Sequence, residues 1–83
     1  MKFLRMRPGF GEQLIAEGDV ELAEDEERLV AEFKRQLEHG MWAAIPLTTD
    51  SGRREAEMVR AFEDIPRATD RVIFFPRAAG GAR

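Results

Sequence analysis

Apolar and polar residues alternate at the start of the chain, and further on the apolar positions fall into a helical stripe. In residues 2–7, Leu4 and Met6 share one face of an extended segment and Phe3, Arg5 and Arg7 the other, which predicts a short half-buried strand. Pro8-Gly9-Phe10-Gly11 supplies turn chemistry, because proline presets φ and glycine enters the left-handed region without steric cost. An extended pattern resumes over 12–22 through Leu14, Ala16, Val20 and Leu22, with a bend or bulge expected at Gly18-Asp19. The first 22 residues read as a β-hairpin.

From Glu24 to His39 the period changes. Leu29, Val30, Phe33 and Leu37 share a stripe at helical spacing, and the other face is charged. Glu24, Asp25, Glu26 and Glu27 lie where acids favour a helix start, and Gly40 is a natural stop. A helix with one apolar face must cover something, and a small sheet is the obvious partner.

Met41 to Leu47 predicts a strand with Met41, Ala43, Ile45 and Leu47 on one side and Trp42 and Ala44 on the other, and Pro46 suggests an edge position or a strand end. Thr48 to Arg54, centred on Asp50-Ser51-Gly52, reads as a turn. Residues 55–65 fit a strand through Ala56 and Met58, and fit a helix through Met58, Val59, Phe62 and Ile65. Pro66 ends either one. Arg71 to Phe75 is β-branched and aromatic with both faces apolar, which predicts a central, doubly buried strand. Beyond Pro76-Arg77 lies Ala-Ala-Gly-Gly-Ala-Arg, a flexible tail by composition.

With 83 residues, 43% of them hydrophobic and 35% charged, this is one small domain without room for a second core or a large enclosed site. The expected division is a single domain over 1–77 and a tail over 78–83. The net charge of −3 is unevenly spread. Residues 12–39 hold ten acidic groups against Arg28, Lys34 and Arg35, whereas 53–83 hold seven arginines against five acids. An acidic middle beside a mildly basic end argues against a nucleic-acid module. Cysteine is absent, so thiolate chemistry, disulfides and acyl anchors on sulfur are excluded. No apolar run approaches the roughly 18 residues of a membrane span, and no signal-peptide core appears, so the cytoplasm is the expected location.

Little side-chain chemistry is on offer. His39, the single histidine, sits at the predicted helix end, where it complements the dipole. Ser51 belongs to a polar turn with no base near it in sequence. The Glu24–Glu27 run lacks the alternating ligands and internal glycine of a calcium loop and reads as a solvated helix start. The glycines at 9 and 11 are not followed by Lys-Ser or Lys-Thr, so they do not form a phosphate-binding loop. Trp42 and Phe74-Phe75 read as core rather than as a ligand box. No metal site and no bound cofactor are expected, and the chain does not read as an enzyme.

The C-terminus is the informative stretch. Glycine lacks Cβ, so a Gly-Gly backbone can thread a channel too narrow for other residues. Asp70 to Gly81, Asp-Arg-Val-Ile-Phe-Phe-Pro-Arg-Ala-Ala-Gly-Gly, resembles the end of the ubiquitin-like and sulfur-carrier β-grasp proteins. These are similar to the small subunit of molybdopterin synthase and to the thiamine-pathway carrier. The element order of hairpin, helix, strand and final central strand resembles theirs too. The resemblance implies an α+β, β-grasp (ubiquitin-like) fold, with a mixed sheet of four to five strands packed on one main helix. It also implies a bacterial, cytoplasmic sulfur carrier or protein modifier. Gly80 and Gly81 would be the C-terminal carrier or conjugation positions, and Ala78 and Ala79 the threaded segment. An adenylating activating enzyme would use ATP to turn the Gly81 carboxylate into an acyl-adenylate, on the way to a thiocarboxylate or thioester. Ala82 and Arg83 follow Gly81, so on this reading a JAMM-type metalloprotease removes them first.

Two other readings stay open. One is a non-conjugated β-grasp interaction module, similar to a domain of phage tail-assembly proteins or to a small oxygenase subunit. It would work through the sheet face, with Arg53, Arg54, Arg60 and Arg77 meeting an acidic partner. The other is an α+β ferredoxin-like regulatory domain, which requires residues 55–65 to be a helix.

Overall fold

A computed structural model describes residues 1–48 and 51–77. The hairpin forms as the alternation predicts, with β1 (Lys2–Arg7) antiparallel to β2 (Gly11–Glu17). Gly9 and Gly11 take positive φ, as the tight turn between the strands requires. The bulge falls at Ile15 rather than at Gly18-Asp19, since Phe3 pairs with Ala16 while Leu4 pairs with Leu14. Strand β2 ends before Gly18, and the chain then turns, with the Leu22 amide bonded to the Asp19 carbonyl at 2.9 Å.

The helix α1 spans Ala23–Glu38. No side chain of Leu22 caps its start. Instead the Asp25 carboxylate reaches back to the Asp19 amide at 2.9 Å, and Asp19 accepts from the Glu21 amide at 2.9 Å, so two acids order the entry turn. Gly40 closes the far end with φ +82°. Leu29 and Phe33 are fully buried, while Val30 and Leu37 are half-buried on the flank of the stripe. The stripe also contains Gln36, buried with its amide donating to Glu32 at 2.6 Å.

Three strands complete the sheet: β3 (Met41–Thr48), β4 (Arg54–Val59) and β5 (Arg71–Pro76). Residues 55–65 thus take the strand alternative to Val59, followed by a three-residue 3-10 turn, Phe62–Asp64, before Pro66, and the helix that Met58, Val59, Phe62 and Ile65 also fitted does not form. The strand order is β2-β1-β5-β3-β4, with β5 parallel to β1 and antiparallel to β3. One helix on a five-stranded mixed sheet is an α+β, β-grasp-like fold, and the ferredoxin-like alternative falls because its second helix is absent from 55–65.

Pro46 is not on an edge strand, because β3 lies between β5 and β4. The β5 ladder stops at Ala44, however, so at Pro46 β3 keeps only β4 as a neighbour, and the missing N–H is tolerated there. The core lies between helix and sheet. Phe3, Phe33 and Phe74 pack edge to face, with centroids 5.1 Å apart for Phe3–Phe74 and 5.7 Å for Phe33–Phe74. Phe3, not Leu4 or Met6, is therefore the core side of β1.

The expectation of a doubly buried β5 needs correction. Val72 and Phe74 are fully buried beneath the helix, but Ile73 and Phe75 on the other face are only half-buried, because the single helix leaves that face uncovered.

Candidate functional site

Strand pairing carries an apolar row across the uncovered face. Leu14 of β2 is opposite Leu4 of β1, Leu4 is beside Ile73 of β5, Ile73 is opposite Ala44 of β3, and Ala44 is opposite Met58 of β4. These five residues share one face because side chains alternate with period two and the register links them strand by strand. At the ends of the row Leu14 is 51% exposed and Met58 45%. A groove of about 670 Å³ opens beside it, lined by Met6, Ala44, Ala56, Ile73, Phe75 and Pro76. Arg7 and Glu12 of the hairpin also line it, so a largely apolar surface carries one charge of each sign.

Pro76, the last residue of β5, lines one end of the groove's wall of strand residues. Phe75 is opposite Trp42, and the Arg77 guanidinium lies over the Trp42 ring, 5.0 Å from its centroid. The Arg77 amide also bonds to the Gly40 carbonyl at 3.2 Å. Trp42 is half-buried on the uncovered face, so it is not the core residue its size suggested. On the neighbouring hairpin Phe10 is 80% exposed at the turn, with the Arg7 guanidinium 5.7 Å from its ring centre. Arg71 reaches diagonally toward Glu12 at 3.9 Å, a loose ion pair worth little at an exposed site.

No protein-family model, curated protein or solved structure matches this chain.

The residues singled out from sequence are scattered. Gly80, Gly81, Ala78, Ala79, Ala82 and Arg83 lie outside the described residues. Arg53 is in the turn before β4, and for Arg54 only the backbone, at the first position of β4, is described. Arg60 follows the other end of β4 and lines a groove on the helix side, together with Lys34 and Phe62. Arg53 and Arg60 thus stand beyond opposite ends of β4. Arg77 lies against the uncovered face, through Trp42.

Two acids of the Glu24–Glu27 run, Asp25 and Glu26, are engaged in structural contacts. Asp25 pairs with Arg28 at 2.9 Å, and its carboxyl is held below the ordinary value, first by the Asp19 amide and then by Arg28. Glu26 receives Arg67 at 2.9 Å, and Arg67 also donates to the Val20 carbonyl at 2.5 Å. The Glu26 carboxylate, with Glu21 adding to it, holds the guanidinium's proton more tightly than usual. Among the described residues no group of three or more His, Asp or Glu is placed to hold a metal ion, and no helix is long and apolar enough to cross a membrane. His39 is the exposed C-terminal cap of α1.

Two features escaped the sequence reading, the transverse apolar row and the Arg77–Trp42 stack. A signal for the first was present. Leu4-Met6, Trp42-Ala44, Ala56-Met58 and Ile73-Phe75 are apolar pairs two apart on several segments, more than a one-helix core can cover.

Proposed function

We propose that this chain is a ubiquitin-like carrier or protein modifier whose body is a recognition handle and whose working group is the C-terminal Gly81. The observation that supports this most is the course of β5. The central strand, parallel to β1, leads through Pro76 and Arg77 straight into the Ala-Ala-Gly-Gly sequence, at the mouth of the uncovered apolar groove.

On this reading a JAMM-type peptidase first removes Ala82-Arg83. A Gly81 carboxylate oxygen then attacks the α-phosphorus of ATP in an adenylating enzyme and expels pyrophosphate. Adenylation is needed because a carboxylate is a poor electrophile until it gains a leaving group. A sulfur donor or thiol displaces AMP, leaving a thiocarboxylate or thioester. The chain itself binds no cofactor and catalyses no step, and the work is done in the cytoplasm.

The intact mass of the untagged protein from its own cells tests this. Loss of Ala82 plus Arg83 supports the carrier, and a further replacement of oxygen by sulfur identifies a thiocarboxylate. A population that retains Arg83 in every molecule overturns it.

The apolar row supports a second reading, since it is complete without the tail. Here the chain is a non-conjugated interaction module, and deleting residues 78–83 leaves partner capture unchanged. Loss of capture on that deletion rejects the module.

A further inference from the structure

The helix stripe is not fully covered on the side facing β4. Val30 and Leu37 stay half-buried, because the 3-10 turn reaches only the middle of α1, where Phe62 packs edge-on to Phe33 with centroids 6.1 Å apart. Between helix and turn lies a groove of about 260 Å³. Val30, Phe33, Leu37 and Phe62 form its apolar lining, and Lys34 and Arg60 line it from the two walls.

Ion pairing divides the cations of the described residues, and at other places on the surface Lys2, Arg5, Arg7 and Arg77 also form no ion pair. Arg28, Arg35, Arg67 and Arg71 each have a carboxylate partner. Among the described residues, exposed Lys34 and Arg60 have none. Glu63 is the one acid lining this groove. In a chain of net charge −3, two uncompensated cations thus flank one apolar cleft. Its volume lies below the roughly 300 Å³ at which pockets begin to enclose whole small molecules, so it suits one inserted side chain.

We propose that this groove binds an acidic peptide segment, taking a bulky apolar side chain between α1 and the 3-10 turn while Lys34 and Arg60 hold the flanking carboxylates. The charge complementarity chooses the partner. A neutral apolar segment leaves both cations idle, and a nucleic acid finds no exposed aromatic face here, since Phe33 is buried and Phe62 meets it edge-on. The groove lies on the helix side, away from the apolar row, so this proposal does not rest on the carrier reading.

The test is titration of the full ¹⁵N-labelled chain with the capped peptide Asp-Glu-Leu-Glu-Asp. Controls replace its acids by the corresponding amides, or its leucine by alanine. The expected result is saturable shifts at Val30, Lys34, Leu37, Ala61 and Phe62. Affinity should fall at least about tenfold with either control peptide, or with the Lys34→Glu, Arg60→Glu double variant, and should weaken with added salt. Both substituted residues are exposed, so the variant's spectrum also reports that it remains folded. The proposal is overturned by absence of saturable shifts at millimolar peptide, by shifts centred on Met6, Ile73 and Phe75 instead, or by equal affinity for the amide peptide. Tighter binding of oligothymidylate at the same residues overturns it in favour of nucleic acid.

Discussion

The Arg77 amide donates to the Gly40 carbonyl at 3.2 Å, so the residue that stops the helix also holds the root of the C-terminal tail. Gly40 has φ +82°, and a Cβ built there meets nothing within 4 Å. Its constraint is purely that of the backbone. Gly40→Ala is expected to cost about 1 kcal/mol, lowering the melting temperature by about 4–8 °C, and Gly40→Asn less, since asparagine tolerates the left-handed region better. Thermal melts of the two variants check this, and equal losses would show that φ is not the deciding factor.

Phe74 and Phe75 are neighbours in sequence with opposite fates. Phe74 is 0% exposed and touches both Phe3 and Phe33, so Phe74→Ala should cost about 3–5 kcal/mol. Phe75→Ala, on the uncovered face, should cost about 1–1.5 kcal/mol. Urea denaturation of both measures the asymmetry, and equal costs would mean that something covers the second face.

The Asp25 carboxyl has a folded-state pKa below the ordinary 3.8, set first by the Asp19 amide and then by Arg28. A depressed carboxylate contributes stability above its ordinary pKa and loses it as pH falls through the folded value. Asp25→Asn should therefore melt lower than the parent at neutral pH, with the gap closing below 3.8. A gap constant with pH would assign Asp25 a packing role alone.

Arg67 clamps the segment before β5 to the helix start through Glu26 at 2.9 Å, Val20 at 2.5 Å and Glu21 at 3.5 Å. Because the guanidinium is about half exposed, Arg67→Gln should lower the melting temperature only slightly while speeding amide exchange around residues 66–70. Exchange unchanged there would show that Pro66 and buried Ile65 hold the segment without the clamp.

Much of the architecture was legible because each element carries its own period. Leu29, Phe33 and Leu37 mark the helix, Gly40 stops it, and Val72 and Phe74 are apolar enough to predict a central strand. Residues 55–65 were not legible, since Met58, Val59 and Phe62 satisfy both periods. Only the pairing of Ala43 with Val59 and of Ala44 with Met58 selects the strand.

The candidate site was less legible. Trp42 looked like core because large aromatics usually are, yet its position opposite Phe75 puts it on the uncovered face under Arg77. Arg53, Arg54 and Arg60 were assigned together to the sheet face, but Arg53 and Arg60 flank β4 at opposite ends and Arg60 lines the groove on the helix side.

The sequence by itself determined the hairpin, the helix, the strands that begin at Met41 and Arg71, and one face of the core. These follow from local periodicity and turn chemistry, which neighbouring residues carry between them. Which apolar face stays open, and that Leu14, Leu4, Ile73, Ala44 and Met58 form a single row, was decided only by the tertiary structure. Register joins residues far apart in the chain, and one helix can cover only one side of the sheet.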